Sequence, residues 1–92
     1  MKYKIKFTSQ FRKDIKRSKK QGKDLNKLFN VIESIARGNS LDKIYKDHEL
    51  KGIYKGTREC HIDPDWLLIY EINEEFLVLM LIRVGSHSNL FK

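Results

Sequence analysis

The spacing of apolar residues changes twice along the chain, from alternation to a helical period and back to alternation. Residues 2–7 place Tyr3, Ile5 and Phe7 on one side and three lysines on the other, which predicts a half-buried β-strand. The lysines would also discourage this strand from pairing with strands of other molecules.

A helical hairpin is predicted after this strand. Thr8 or Ser9 can cap a first helix that ends near Gly22, and Asp24 can cap a second helix that ends at Gly38. The apolar positions follow the i, i+3, i+4 pattern of one buried face: Phe11 and Ile15 in the first helix; Leu25, Leu28, Phe29, Ile32, Ile35 and Ala36 in the second.

The second half of the chain returns to a period of two and predicts three strands, at residues 57–62, 66–72 and 76–83. Asp63-Pro64-Asp65 is a turn between the first two, and Asn73-Glu74-Glu75 is short enough to make the last two an antiparallel hairpin. The last strand is apolar on both sides, as expected of a strand that is covered on both faces or by a partner.

This order of elements predicts an α+β domain, in which the N-terminal strand and the helical hairpin pack on a mainly antiparallel four-stranded sheet. The helices would cover one face of that sheet and leave the other free for function. Since no repeat or linker interrupts the chain, residues 1–92 are predicted to form a single domain.

Charge adds a partner class to this picture. The net charge is +7, the sequence pI is about 9.6, and the excess lies in residues 1–28, which favours polyanionic partners. A lysine run can also be only a solvated face, and this alternative stays open for residues 16–20. Residues 1–28 contain two acidic side chains, Asp14 and Asp24, and eleven basic ones: Lys2, Lys4, Lys6, Arg12, Lys13, Lys16, Arg17, Lys19, Lys20, Lys23 and Lys27.

The compartment follows from what the sequence lacks. Cys60 is the only cysteine, so no intramolecular disulfide can form, and no apolar stretch approaches the roughly 20 residues of a membrane span. We therefore expect a cytoplasmic protein with no membrane partner.

Three histidines in polar, turn-rich contexts are the candidates for chemistry: His48, His61 and His87. Histidine titrates near neutrality and suits proton transfer, although a single such residue is more often only a surface histidine. Cys60 and His61 are adjacent on a predicted strand and should point to opposite faces, and no CxxC or HxxxH pair exists. We expect no metal site and no cofactor.

Three segments, residues 45–52, 58–70 and 83–91, together resemble the YafQ-type toxins of the RelE/ParE superfamily. The resemblance implies a RelE-like fold and a toxin of a type II toxin–antitoxin system that cleaves mRNA, often at the ribosome. It also implies a cognate antitoxin, which we expect to be acidic. The functional set of that family falls on residues of the expected type: His48, His61, Asp65, Trp66, Arg83, His87 and Phe91. Val84 departs from the threonine of many relatives, which puts a minor hydrogen bond in doubt.

These residue types suit metal-independent RNA cleavage, because RNA carries its own nucleophile, the 2′-hydroxyl. Cleavage then needs a base, an acid for the leaving 5′-oxygen, and a cation for the phosphorane. We assign His87 as the acid, His48 or His61 as the base, and Arg83 as the cation, with Asp65 accepting a hydrogen bond from a histidine.

The remaining candidates would bind the substrate. Trp66 and Phe91 could stack on unpaired bases, although Trp66 precedes an apolar run and could equally be a core residue. Basic residues of the first helix would bind the phosphates of mRNA or of ribosomal RNA: Lys13, Lys16, Arg17 and Lys20.

Two other functions are compatible with the same fold and charge. ParE-type toxins inhibit DNA gyrase instead of cutting RNA, but they lack the histidine set. A basic nucleic-acid-binding module without toxicity would explain the charge and leave the segment from His87 to Phe91 without a role. The three histidines therefore favour the endoribonuclease.

Overall fold

The computed structural model describes residues 1–91. They form a mixed sheet of five strands, two long helices and one short helix. The sheet order is β1-β5-β4-β3-β2; β1 runs parallel to β5, and all other neighbours are antiparallel. The strands are β1 (Lys4–Phe7), β2 (His48–Glu49), β3 (Arg58–Asp63), β4 (Trp66–Asn73) and β5 (Val78–Gly85); the helices are α1 (Ser9–Lys20), α2 (Leu25–Ala36) and α3 (His87–Leu90).

The predicted four-stranded sheet is wrong by one strand. β2 contains only His48 and Glu49, which pair with Glu59 and Arg58 of β3. Two residues are too few to show any periodicity, so only the pairing with β3 reveals this strand. Its consequence is functional, because it brings His48 into the sheet.

The helical hairpin and its caps are confirmed, although Phe29, predicted on the buried face of α2, is 47% exposed. The Thr8 side chain accepts the backbone N–H of Phe11, and the Asp24 side chain accepts those of Asn26 and Lys27. Gly22 and Gly38 follow the two helices with φ of +75° and +84°, which glycine adopts without strain. Within residues 1–91, no helix is both long and apolar enough to cross a membrane.

The main core lies between these helices and one face of the sheet. Leu28, Ile32 and Ile35 of α2 pack there against alternate residues of the strands, including Leu68 and Leu79, neither of which is exposed. Burial of this kind contributes on the order of 2 kcal/mol for each large side chain. The prediction that helices cover one face of the sheet is confirmed.

The first strand is less buried than predicted. Tyr3 is in the core, but Ile5 is partly exposed and Phe7 is 51% exposed. β1 is an edge strand, and the two helices do not close over its end, so an open apolar groove of about 460 Å³ remains beside Ile5, Phe7 and Phe29.

The last strand starts later than predicted, at Val78 instead of Phe76. Asn73 accepts the backbone N–H of Phe76 at 2.9 Å, which extends the turn through Leu77, whose φ is +52°. Leu79 and Leu81 are buried under the helices, whereas Val78, Met80 and Ile82 are only half-buried. The expectation of full cover on both faces within this chain is therefore wrong, and cover by a partner stays a prediction.

Candidate active site

The pairing of the strands places two rows of residues, each with histidine at one end, on the face of the sheet opposite α1 and α2. Because paired residues share a face, His48, Glu59 and Ile69 form one row across β2, β3 and β4, which continues to Arg83 of β5. A second row runs from His61 through Leu67 to Gly85, so His61 and Gly85 lie two strand spacings apart, or about 10 Å. His87 follows Gly85 by two residues.

His48 and His61 form a cluster around Glu59. The Glu59 carboxylate lies 3.6 Å from Nε2 of His48 and 3.4 Å from Nε2 of His61, and the two imidazole rings are 6.4 Å apart. The Glu59 side chain is 6% exposed, whereas that of His48 is 50% exposed. A buried carboxylate thus holds one edge of both rings, and Nδ1 of His48 lies 2.7 Å from the carbonyl oxygen of Lys46.

His87 opens the short helix α3, where it is exposed to solvent. Ser86 caps that helix through the backbone N–H of Asn89, and Asp65 accepts the backbone N–H of His87 at 2.9 Å. The Asp65 contact expected with an imidazole is therefore corrected to a contact with the backbone. Asp65 fixes the position of α3 relative to the turn between β3 and β4, and the carboxylate does not touch a ring.

Arg83 is held by a residue of α1. Its Nε lies 2.8 Å from Oδ2 of Asp14 and its Nη2 lies 3.1 Å from Oδ1 of the same carboxylate. The hydrogen bond with Asp14 raises the pKa of the Arg83 guanidinium, despite the opposing effect of burial, and Tyr54 adds a smaller contribution. Arg83 is therefore a fixed cation at any accessible pH.

Phe91 packs beside His87 in a small apolar cluster on the same face. Its ring lies 4.8 Å from the imidazole of His87 and 5.5 Å from the ring of Tyr54. The cluster also contains Leu90, which is buried against Leu67 and Ile69 of β4. Phe91 is half-buried, so one part of its ring is available to a ligand.

Trp66 does not fit the predicted role in base stacking. The side chain is 1% exposed, lies in the main core and donates its indole N–H to Ser18 of α1 at 3.3 Å. The first residue of β4 points toward the helices, which is why the ring enters the core. Trp66 is therefore a core residue, which was the alternative to base stacking.

The basic residues of α1 divide into two groups. Lys13, Lys16 and Lys20 are exposed and form a charged surface, as predicted for a solvated helix face. Arg17 is different, because its guanidinium bonds with Asp14 at 2.8 Å. Their contact with RNA stays a prediction.

A groove of about 430 Å³ adjoins the histidine cluster at the edge of β3. Its walls include His61 and the cations Lys27 and Lys46. Lys27 forms an ion pair with Asp63, and the hydrogen bond with that carboxylate raises the pKa of the lysine. The groove therefore lies beside His61, with Lys27 of its wall already paired with a carboxylate.

Three residues of this site were not predicted from the sequence: Asp14, Tyr54 and Glu59. Glu59 could have been found, because it stands two positions before His61 on a strand and must share its face. Asp14 had no such signal, since it lies among lysines and arginines of a helix whose partner strand is about 70 residues away.

Cys60 and His61 point to opposite faces, as the sequence predicted. Burial raises the pKa of the Cys60 thiol to about 12, so the group is an uncharged core residue at neutral pH. In the part of the chain that the structure describes, no group of three histidine, cysteine, aspartate or glutamate side chains is placed to share a metal ion.

Comparison with known proteins gives the class of protein to which this fold and site belong. Residues 3–92 match the family described as "Bacterial toxin of type II toxin-antitoxin system, YafQ". The mRNA interferase toxin YafQ of Escherichia coli K12 is 39% identical over 88 residues, covering 95% of this chain and 94% of that protein.

Solved structures agree with this match. A metal-bound toxin from Helicobacter pylori has a TM-score of 0.91 at 45% identity, covering 97% of this chain and 99% of the other. YafQ in the Escherichia coli DinJ-YafQ toxin–antitoxin complex has a TM-score of 0.89 at 36% identity and is covered completely in both directions. The chain belongs to the YafQ family of bacterial toxins of type II toxin–antitoxin systems.

Proposed function

We propose that the protein is an mRNA interferase, an endoribonuclease that cleaves mRNA by histidine acid–base chemistry without a metal ion. The observation that carries the proposal is the cluster of His48, Glu59 and His61, which lies on the same open sheet face as Arg83 and two strands from the segment of His87. The name of the Escherichia coli relative supports the same activity.

The placement of the groups supports the following catalytic roles. His48 or His61 takes the proton of the 2′-hydroxyl, and His87, on the other side of the row, protonates the leaving 5′-oxygen. Each proton transfer is worth on the order of a hundred- to ten-thousand-fold in rate. Arg83 stabilises the phosphorane charge, and Glu59 orients the two imidazoles without reaching the substrate itself.

The substrate would lie between the histidine cluster and His87, over the α3 cluster that buries Leu67 and Ile69. Half-buried Phe91 would stack on one base, while the groove beside His61 would receive another. The charged surface of α1 would attract the phosphate backbone through counterion release. Its residues are Lys13, Lys16 and Lys20, joined by Arg17.

The wider setting of the activity is part of the proposal. We infer a cognate acidic antitoxin, because close relatives form a complex with DinJ and the net charge of this chain is +7. The ribosome is the second partner, the cytoplasm is the compartment, residues 1–92 are a single domain, and the fold is of the RelE-like group.

The experiment that tests the function compares the purified protein on free mRNA and on ribosomes programmed with the same mRNA. We expect cleavage in at least one of the two reactions, and a Glu59→Gln variant should cut roughly tenfold more slowly, because its neutral amide holds the histidines less firmly. Glu49→Gln is the matched control, since Glu49 is an exposed neighbour in β2. Wild-type protein that cuts neither substrate would refute the proposal.

A further inference from the structure

Asp14 is fully buried although it lies on the most basic helix of the molecule. Its Oδ1 accepts from Nη2 of Arg17 at 2.8 Å and from Nη2 of Arg83 at 3.1 Å, while Oδ2 accepts from Nε of Arg83 and from the backbone N–H of Val84. A buried carboxylate without partners would be strongly destabilising, and here four donors compensate it. The carboxylate thus joins α1 to the end of β5.

The three charged groups together carry a net charge of +1. Their contacts with Asp14 use one N–H of Arg17 and two of Arg83, so each guanidinium keeps further N–H groups for another acceptor. The side chains of Arg17 and Arg83 are 36% and 19% exposed, so a ligand can reach both. Two guanidinium groups held side by side match the oxygen atoms of phosphate esters.

The position of this pair relative to His87 is set by Gly85. A methyl group on Gly85 would lie 3.1 Å from Nη2 of Arg17, so the guanidinium rests directly against the backbone two residues before His87. Glycine lets the arginine lie against β5 without being displaced, and α3 starts immediately afterwards.

We propose that Asp14 is a positioning residue that holds Arg17 and Arg83 as a paired binding site for backbone phosphates of RNA next to His87. Arg17 is then a specific substrate-binding residue and not a member of the diffuse charged surface of α1. The inference deepens the proposed function and rests on it.

The test measures two quantities: the affinity for an RNA that carries a 2′-deoxy nucleotide at the cleavage position, and kcat/KM on the normal RNA. Arg17→Gln should weaken affinity roughly tenfold, the size expected for losing a charge-assisted hydrogen bond. Arg12→Gln is the matched control on the same helix, because Arg12 is exposed and lies over the ring of Phe7. It should change affinity by less than about twofold. Equal effects of the two variants would overturn the inference.

Asp14→Asn separates positioning from simple structural support. We expect this variant to lower kcat/KM by roughly tenfold or more, since the arginines lose the charge that aligns them. In an Arg17→Gln/Arg83→Gln background, adding Asp14→Asn should raise stability and leave RNA affinity unchanged, because the carboxylate acts only through the two arginines. A further loss of affinity in that background would show a separate role and overturn the proposal.

Two further measurements cover the cases in which Asp14→Asn does not fold or the protein cuts no RNA. If Asp14→Asn does not fold, Arg17→Lys takes its place: it keeps the charge but loses the planar fork, and full RNA affinity in that variant would refute the paired site. If wild-type protein binds the deoxy-substituted RNA but cuts no RNA, the proposed function fails, whereas the affinities of the variants still decide whether the phosphate site exists.

Discussion

The two faces of the sheet differ in composition although they are made by the same strands. Under α1 and α2, Cys60 and Leu68 are completely buried in an apolar core. On the opposite face, Glu59 and His61 occupy the neighbouring positions of β3. Glu59 is buried between two histidines, and the short helix α3 covers Leu67 and Ile69 of β4. Alternation along one strand therefore gives the core one residue and the site the next.

Because the two faces differ in this way, substitutions can change the stability of the fold and the catalytic rate separately. Residues of the helix-covered face contribute to stability through buried area, whereas His48 and His61 of the opposite face keep solvent access and lie against the Glu59 carboxylate. Substitutions on the two faces should therefore have opposite signatures, with loss of folding on one and loss of turnover on the other.

The largest effect on turnover is expected for His87→Ala. Removing the acid should reduce the cleavage rate by on the order of a hundred- to ten-thousand-fold. Because His87 is exposed and its backbone N–H, not its ring, contacts Asp65, the unfolding midpoint should stay within measurement error. Single-turnover cleavage and urea unfolding of the same preparation check both parts. Near wild-type cleavage would transfer the role of the acid to a ribosomal group, because Arg83 stays a cation at any accessible pH.

Leu68→Ala should show the opposite signature. The side chain is fully buried in the main core, so its removal should cost about 2 to 5 kcal/mol of unfolding free energy. Urea unfolding measures the cost, and the folded fraction should keep its kcat at low denaturant. A small stability loss together with a large loss of kcat would contradict the division between the two faces.

Alkaline pH should lower the free energy of unfolding through two buried groups of the helix-covered face, Cys60 and Tyr70. Burial raises the pKa of Cys60 to about 12 from an ordinary value of 9.0, and burial also raises the pKa of Tyr70. Both groups are neutral in either state below pH 9, whereas above it the unfolded chain ionises first. Unfolding free energy should therefore fall by roughly 1.4 kcal/mol per pH unit for each group, between pH 9 and 12 for Cys60 and from pH 10 upward for Tyr70. Cys60→Ala should flatten this slope, and His61→Ala should not.

Trp66→Phe is expected to have the smallest effect. It removes the hydrogen bond to Ser18 and should cost about 1 kcal/mol of stability, with RNA affinity unchanged. Thermal unfolding and RNA titration measure the two quantities. A clear loss of affinity in a variant of normal stability would restore the base-stacking role that the buried ring contradicts.

Local sequence patterns were enough to predict most of the helices and strands. Asp24, Gly38 and the apolar period between them were enough to predict α2, because caps and periodicity act within a few residues. β2 could not be predicted, since a strand of two residues exists only through its pairing with β3. The late start of β5 escaped prediction for a similar reason, because the Asn73 side chain extends the turn.

The candidate site divides in the same way. The histidines and Phe91 were found from residue type and family resemblance, and the structure brings His48 next to His61 and Phe91 next to His87. Asp14 was not found, because its partners on β5 are distant in sequence and its neighbours on α1 are basic. Tertiary contacts of this kind leave no mark on a local pattern.

On the proposed function, the open face cuts RNA with histidines and without a metal. The most direct measurement incubates the protein with a defined RNA, free or on ribosomes, in the presence of EDTA and maps the chemistry of both new ends. We predict undiminished cleavage that leaves a 2′,3′-cyclic phosphate or 3′-phosphate and a 5′-hydroxyl. Cleavage that stops on chelation and returns with one added metal ion would contradict the account.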